Sequence, residues 1–166
     1  MQVTFKGNSL NLEGNQVKVG DNAPDFKLLN SSLQEVALSQ LGAETILLNI
    51  VPSLDTPVCA KQSKEFYNAL QAQSVKLVTI SMDLPFAQAR FCGTENIQME
   101  TLSDHREASF GRNYGLLIKE LRLLTRSVII IDKNKKIQYI EIVSEVTSEP
   151  NYESALKALN TLSAVK

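Results

Sequence analysis

Residues 52–59, Pro-Ser-Leu-Asp-Thr-Pro-Val-Cys, place a cysteine where its sulfur could act as a nucleophile. The apolar run 46–51 before this octapeptide predicts a buried strand. Residues 60–70 after it predict a helix, so Cys59 falls in the first helical turn. Backbone N–H groups at a helix start have no helical partner and stabilise an anion such as a thiolate. We therefore expect a readily ionised, reactive cysteine at 59; a buried structural cysteine also fits the local sequence.

Residues 55–57 carry the signals for the start of this helix. Asp55 and Thr56 are both plausible N-caps, because a short side-chain oxygen at that position accepts hydrogen bonds from the first turn. Pro57 suits the first helical position, where a missing N–H group is harmless.

Several kinds of cysteine chemistry are disfavoured by the rest of the chain. A cysteine protease or acyl transferase needs a base, usually histidine, and the only histidine, His105, lies in a sequence typical of a solvated helix start. A structural zinc site needs four nitrogen or sulfur ligands, and two cysteines with one histidine fall short. Cys-x-x-Cys is absent, as is a glycine-rich phosphate loop, so neither a thioredoxin-type reductase nor a nucleotide cofactor is expected.

Peroxide reduction fits the remaining chemistry, because the surroundings of the sulfur keep it ionised without a separate base. The thiolate attacks one peroxide oxygen, the other oxygen leaves, and a sulfenic acid forms. Negative charge that develops on the oxygens must be met by hydrogen-bond donors. Backbone N–H groups near Val58 and Cys59, the Thr56 hydroxyl and a guanidinium group could supply them.

The spacing Pro-x-x-x-Thr-x-x-Cys, carried by Pro52, Thr56 and Cys59, resembles the active-site motif of the peroxiredoxins. Nearly the whole chain is similar to one branch of them, the bacterial-type thiol peroxidases, which behave as atypical 2-Cys peroxiredoxins. That similarity is carried, in chain order, by the segments Asp83-Leu84-Pro85-Phe86-Ala87-Gln88-Ala89-Arg90-Phe91-Cys92-Gly93, Leu102-Ser103-Asp104-His105-Arg106, Arg126-Ser127-Val128-Ile129-Ile130-Ile131-Asp132 and Glu149-Pro150-Asn151-Tyr152.

The resemblance implies a role for each of these residues. Cys59 would be the peroxidatic cysteine, and Cys92 would resolve its sulfenic acid as an intramolecular disulfide. Arg126 would supply the guanidinium group, and Pro52 would shape the loop and shield the sulfur from water. Local sequence alone also allows a small buried Cys92, a surface Arg126 and a Pro52 that only ends a strand.

Partners and substrate are likewise implied by the resemblance. It favours organic hydroperoxides, alongside hydrogen peroxide, as substrates of an antioxidant enzyme. It also implies thioredoxin as the reductant and a homodimer as the assembly. A rival reading from another class is a redox sensor of the same fold, whose disulfide changes a binding surface and which is oxidised only once.

Composition limits the other possibilities. The chain has 166 residues, 43% hydrophobic, and a formal net charge of −1 without a basic cluster, which disfavours nucleic-acid binding. No apolar run approaches the ~20 residues of a membrane helix, and residues 1–7 lack the apolar core of a signal peptide. We therefore expect a cytoplasmic, cofactor-free and metal-free protein, whose two cysteines are redox-active or inert rather than a structural disulfide.

The elements that must position these residues follow from the apolar pattern. Strand-like alternation on both sides of Gly7-Asn8 predicts a hairpin, and a strand at 75–82 completes a strand–helix–strand unit after Cys59. Further elements are predicted along the chain: a helix Pro85–Phe91 ended by Gly93, a helix opened by a capping box at Asp104–Glu107 and running through Phe110, a hairpin of 127–131 with 137–143, and a helix 152–162. This order predicts one thioredoxin-like α/β domain over 1–166 with an N-terminal β-hairpin extension.

Overall fold

The computed structural model describes residues 1–164. The strands are β1 (Gln2–Phe5), β2 (Asn8–Glu13), β3 (Leu28–Leu29), β4 (Glu35–Val36), β5 (Thr45–Ile50), β6 (Val75–Ser81), β7 (Glu100–Ser103), β8 (Leu117–Ile118), β9 (Leu123–Leu124), β10 (Ser127–Ile131) and β11 (Ile137–Ile142). The helices are α1 (Pro57–Ala69), α2 (Pro85–Glu95), α3 (Ser109–Tyr114) and α4 (Tyr152–Ala164), with a 3₁₀ turn at Leu38–Leu41.

Seven strands form the main sheet, in the order β11-β10-β5-β6-β7-β3-β4. Strands β5, β6 and β7 run parallel, and α1 connects β5 to β6 as the sequence predicts. Strand β10 is antiparallel to β5 and pairs Ser127 with Ile50. This register places Arg126, one residue before β10, beside the end of β5, where the chain turns toward Cys59.

Both faces of the main sheet are covered. Helices α1 and α4 pack on one face, in a buried cluster of Leu47, Phe66, Leu70, Val128, Ile130, Ala155 and Leu159. The other face packs against α3 and its flanking loops through a larger cluster that includes Leu48, Phe110 and Tyr114. Each of these large apolar side chains contributes roughly 1.5–3 kcal/mol to folding by leaving water. In the described part of the chain, none of the helices has the length and apolar character needed to cross a membrane.

The predicted N-terminal hairpin is confirmed and extends toward the site. Strands β1 and β2 turn at Lys6 and Gly7, both with positive φ (51° and 82°), as a tight hairpin turn requires. The hairpin joins β8 and β9 in a second, four-stranded sheet. Thr4 also bridges to Glu145, so the hairpin lies beside the segment that follows β11.

The predicted end of α2 at Gly93 is wrong. The helix continues to Glu95, and Asn96 caps it in the left-handed conformation (φ 53°), with its N–H group bonded to the carbonyl groups of Cys92 and Gly93. Asparagine tolerates this conformation better than most residues, and a glycine inside a helix costs only about 1 kcal/mol. Cys92 therefore lies inside the last turns of the helix.

The predicted capping box at Asp104–Glu107 is also wrong. Helix α3 begins at Ser109, after Ala108 with a φ of 54°. Asp104 is buried at the end of β7, and its carboxylate instead accepts hydrogen bonds from the N–H groups of Phe110 (3.1 Å) and Gly111 (2.8 Å). Burying a carboxylate without hydrogen-bond donors costs much free energy, so the bonds from Phe110 and Gly111 determine the local conformation. Residues 105–107 therefore form a turn instead of the first turn of a helix.

Candidate active site

The start of α1 places Cys59 at the centre of the site. Thr56 is the N-cap and Pro57 is the first helical residue, so of the two predicted caps Thr56 is confirmed and Asp55 is wrong. The Thr56 hydroxyl does not cap the helix but donates to the Ser53 carbonyl at 3.0 Å. Cys59, the third helical residue, is completely buried and reduced.

Arg126 contacts the Cys59 sulfur. Its Nη2 lies 3.3 Å from Sγ, and the arginine is only 2% exposed, so it is not a surface residue. Its other donors are fixed as well, because Nε donates to the Val146 carbonyl at 2.7 Å and Nη1 donates to Gln62 Oε1 at 2.9 Å. Because three hydrogen bonds hold the guanidinium group, its positive charge stays next to the Cys59 sulfur. A side chain without these bonds would move among several positions.

Gln62 is the residue of this site that sequence reasoning missed. It lies three positions after Cys59, on the same face of α1, and that spacing was the available signal. Its Nε2 donates to Asn49 Oδ1 at 2.7 Å, and Asn49 Nδ2 donates in turn to Ser63 and to Thr79 at 2.9 and 3.0 Å. The four side chains of this polar network, Gln62, Asn49, Ser63 and Thr79, are fully buried. Their hydrogen bonds fix the Gln62 amide, which in turn orients the Arg126 guanidinium group.

A cavity of about 270 Å³ opens next to this group. Its lining is mostly apolar and comprises Phe5, Lys6, Pro52, Thr56, Pro57, Val58, Arg126, Val146 and Thr147. Pro52 is buried in the wall, as a shielding residue would be, whereas Phe5 comes from the N-terminal hairpin and is 36% exposed. The hairpin thus supplies one wall of a cavity that is lined by both Thr56 and Arg126.

Glu145 fastens the hairpin to the wall of this cavity. Its carboxylate accepts hydrogen bonds from Thr147 N and Oγ1, from the N–H groups of Lys6 and Gly7, and from the Thr4 hydroxyl. These bonds, led by that of the Thr147 hydroxyl, lower the pKa of Glu145 to about 2. The carboxylate therefore stays charged at any physiological pH and holds the hairpin next to Val146.

Cys92 lies in α2, a different helix from that of Cys59. It is half-buried and reduced, and its Sγ lies 3.8 Å from the Met99 carbonyl oxygen. Burial raises the pKa of this thiol above its ordinary value, and the bond to Met99 opposes that rise. Its neighbour Phe91 packs against the buried cluster that contains Cys59. The structure thus brings α2 against the site, but it does not pair the two thiols.

Neither a histidine nor a metal cluster accompanies Cys59. His105 is half-buried in the turn after β7, and its backbone N–H donates to Ser103. Within residues 1–164, no group of three or more His, Cys, Asp or Glu side chains has the arrangement to hold a metal ion. The charged partner of the sulfur is the guanidinium group.

Comparisons with known proteins agree with this geometry. Residues 18–156 match the family described as Redoxin. The chain is 49% identical to a protein named thiol peroxidase from Bacillus subtilis (strain 168), over 97% of this chain and 98% of that protein.

Solved structures show the same architecture. A peroxiredoxin-like protein from Aquifex aeolicus superposes with a TM-score of 0.90 at 40% identity, over 97% of this chain and 96% of that one. A thiol peroxidase from Chromobacterium violaceum superposes with a TM-score of 0.91 at 21% identity, over 100% and 99% of the two chains, a likeness of fold alone. The thioredoxin-like α/β fold predicted from the sequence is confirmed.

Proposed function

Because this chain belongs to the peroxiredoxins and, among them, to the thiol peroxidases, we propose that it reduces organic hydroperoxides at Cys59 and resolves the product with Cys92. A peroxidase of this family consumes a peroxide and a thiol reductant. The observation that carries the finer proposal is the contact between the buried Cys59 sulfur and Arg126 Nη2, at 3.3 Å.

The first step takes place at the start of α1. The Cys59 thiolate attacks the nearer oxygen of ROOH, the O–O bond breaks, and the RO⁻ that leaves takes up a proton, giving Cys59–SOH and ROH. Arg126 meets the negative charge on the sulfur before the attack and on the oxygens during it. The backbone N–H groups of Val58 and Cys59, at the helix start, add to this field.

The Thr56 hydroxyl takes a role different from the one expected. Its proton is donated to the Ser53 carbonyl, so its oxygen faces a substrate as an acceptor. We assign it to accept the O–H group of the hydroperoxide, which would hold the hydroxyl-bearing oxygen, the one that the thiolate attacks, next to the sulfur. Pro52, buried in the cavity wall, keeps water from competing.

The cavity favours an organic substrate. The apolar side chains of Phe5, Pro52, Val58 and Val146 surround the approach to Arg126, and a volume of about 270 Å³ leaves room for an alkyl or aryl group. Hydrogen peroxide would bind without using this wall. The N-terminal hairpin therefore contributes to selectivity for the group attached to the peroxide.

Resolution requires the two cysteines to meet. Cys92–SH condenses with Cys59–SOH to a disulfide and water. In the reduced fold the Cys92 thiol is engaged with Met99 and its pKa is raised by burial, so it is a poor nucleophile until α2 opens. The proposal therefore includes local unfolding of the start of α1 and of α2.

Thioredoxin would then reduce the disulfide, in an intracellular and reducing compartment. We further propose that the chain forms one domain over 1–166 and that two copies form a homodimer.

The test is a coupled assay with thioredoxin, thioredoxin reductase and NADPH, run with cumene hydroperoxide and with hydrogen peroxide. We expect many turnovers, a higher kcat/KM for cumene hydroperoxide, and no turnover in Cys59→Ser, because serine is not ionised at neutral pH. In Phe5→Ala, kcat/KM should fall for cumene hydroperoxide and hold for hydrogen peroxide; Leu121→Ala, another exposed apolar residue, is the matched control. Consumption of a single equivalent of peroxide would contradict the peroxidase cycle and would indicate a sensor.

A further inference from the structure

Asp83 connects the two segments that carry the cysteines. It follows β6 and precedes α2, so it belongs to the α2 side of the site. Its Oδ1 accepts a hydrogen bond from the Ser53 hydroxyl at 2.7 Å, and its Oδ2 accepts one from the Leu54 N–H group at 2.8 Å. Ser53 and Leu54 belong to the loop that leads into α1. One carboxylate thus ties the Cys59 loop to the start of the Cys92 helix.

The Cys59 loop is organised around this tie. Ser53 Oγ, while donating to Asp83, accepts the N–H group of Asp55 at 3.1 Å. The Ser53 carbonyl accepts both the hydroxyl (3.0 Å) and the N–H group (3.3 Å) of Thr56. Asp83 therefore fixes, through Ser53, the N-cap of α1 and the direction of its hydroxyl.

The α2 side is organised around the same carboxylate. The Ser81 hydroxyl donates to Asp83 Oδ2 at 2.9 Å and accepts the Gln88 amide of α2 at 3.0 Å. The Ser103 hydroxyl donates to the Asp83 carbonyl. A second link between the segments, the ion pair of Asp55 with Arg90 at 3.6 Å, has both side chains more than 60% exposed (66% and 71%) and contributes little. A third link, the ion pair of Lys64 in α1 with Glu95 in α2 at 3.1 Å, has side chains 47% and 30% exposed and is also weakened by solvent. Asp83 is a partly buried link that joins the Cys59 loop itself to the start of α2.

We infer that Asp83 is a positioning residue that holds the Cys59 loop and α2 together in the peroxide-reactive form, and that its release sets how fast Cys92 reaches the sulfenic acid. This inference rests on the proposed function. Cys59–SOH has two fates: it condenses with Cys92–SH to a disulfide and water, or it reacts with a second ROOH to give Cys59–SO₂H and ROH. Strong hydrogen bonds to Asp83 delay the opening that brings Cys92 to the sulfenic acid. They therefore favour the sulfinic acid over the disulfide.

Asp83→Asn is the direct test. An amide is uncharged and has only one acceptor oxygen, so its NH₂ group must face one of the donors and the charge-assisted bonds that hold the Cys59 loop weaken. We expect the second-order oxidation of Cys59 to slow, because less of the protein holds the reactive form. We expect the cumene hydroperoxide concentration that converts half of Cys59 to sulfinic acid to rise about tenfold, as befits the loss of a hydrogen bond to a charged group.

Two further variants make the test decisive. Ser53→Ala removes one of the three donors to the Asp83 carboxylate, so it should act in the same direction with a smaller factor, and it decides the matter if Asp83→Asn does not fold. Asp132→Asn is the matched control, because Asp132 also accepts bonds from three donors, Asn134 N, Lys136 N and Gln138 Nε2, but in the β10–β11 turn. It should behave as wild type.

Mass spectrometry of Cys59 over a series of cumene hydroperoxide concentrations gives the ratio of disulfide to sulfinic acid. Slower oxidation together with a higher concentration for over-oxidation, in Asp83→Asn or Ser53→Ala but not in Asp132→Asn, supports the role of Asp83. A wild-type ratio in both site variants overturns that role and leaves the proposed function intact. A wild-type protein that forms no Cys59–Cys92 disulfide overturns the proposed function itself, and this inference with it.

Discussion

Two regions pack against the Cys59 part of the site, the Arg126 network and helix α2 through Phe91, and they are built differently. On the Arg126 side, every polar partner is buried: Arg126 is 2% exposed, and Gln62 and Asn49 are fully buried. On the α2 side, the helix buries only Pro85 and Gln88. The Arg126 network is therefore part of the buried core at the main sheet. Helix α2, which carries Cys92, lies mostly at the protein surface.

Helix α2 has further signs of weak attachment. Phe86, on its first turn, is 65% exposed, and a side chain added at Gly93 would meet no atom within 4 Å. The buried amide of Gln88 donates to Ser81 and to the Leu102 carbonyl, but within the described residues its own oxygen has no partner. Few buried contacts and an unsatisfied acceptor are features of segments that open locally.

The comparison indicates a division of labour. In the proposed reaction, charge stabilisation requires a partner that does not reorganise, and Arg126 with its network would provide it. The proposed disulfide requires a segment that can leave its place, and α2 would provide it. The predictions below test one side against the other.

Cys92→Ser should separate the two sides most sharply. We expect the first oxidation of Cys59 to proceed at the wild-type rate, because Arg126 and the α1 start are untouched. Turnover with thioredoxin should be lost, because no intramolecular disulfide can form, and the sulfenic acid should persist. Trapping with dimedone after one equivalent of peroxide measures this. Undiminished thioredoxin-dependent turnover in this variant would show that Cys92 has no resolving role.

Arg126→Lys should damage the fixed side. A lysine carries one point charge and cannot reach Val146, Gln62 and Cys59 together in a planar fork. We expect a loss of roughly 2–4 kcal/mol in transition-state stabilisation, by analogy with the removal of one oxyanion donor. The second-order rate of Cys59 oxidation measures it by competition with catalase, since the chain has no tryptophan to report it. Arg122→Lys, an exposed arginine, is the control, and equal rates in both variants would contradict the role of Arg126.

Gln62→Met tests whether the network behind Arg126 matters. The substitution keeps the volume but leaves Arg126 Nη1 and Asn49 Oδ1 without their partner. An unsatisfied buried polar group costs about 1–3 kcal/mol, so we expect a lower unfolding free energy and a Cys59 oxidation rate reduced by about tenfold. Gln71→Met serves as the control, because Gln71 is an exposed glutamine just after the end of α1. An unchanged oxidation rate would mean that Val146 alone is enough to orient the guanidinium group.

Asp104→Asn should leave peroxide chemistry unchanged and alter only how stability depends on pH. Burial raises its pKa to about 6, whereas an unfolded chain has a value near 4. Between those pH values the folded state binds more protons than the unfolded state, so this group makes the free energy of unfolding fall as pH rises. Asp104→Asn removes that slope, by at most about 3 kcal/mol across the window. Urea unfolding at pH 4, 5 and 6 measures it, and parallel pH profiles of both proteins would refute the assignment.

The sequence was sufficient wherever chemistry and local pattern coincide. The strand before Pro52, the cap at Thr56 and the place of Cys59 in the first turn follow from neighbouring residues, and all are confirmed. The contact of Arg126 with Cys59 spans 67 positions and was reached only through a family resemblance. The register that pairs Ser127 with Ile50 creates that contact, and no local pattern contains it.

The remaining features depend on burial and tertiary contacts. Gln62 and Asn49 read as ordinary polar residues until β5 and α1 face each other. Asp104 matched a capping box, but its burial at the end of β7 gave its carboxylate other donors. Gly93 looked like a helix end, and Asn96 took that place. In each case a polar group found its partner through the fold and not through its neighbours in sequence.

Hydrogen exchange on reduced and peroxide-oxidised protein tests the central claim, that α2 and the start of α1 open when the disulfide forms while the β10 region next to Arg126 stays fixed. We predict that amides of residues 57–63 and 86–93 lose protection when the disulfide forms. Amides of β10, next to Arg126, should keep their protection in both states and serve as the internal reference. Equal protection of all three segments before and after oxidation would contradict the account, because the two thiols would then have to meet without any opening of α2.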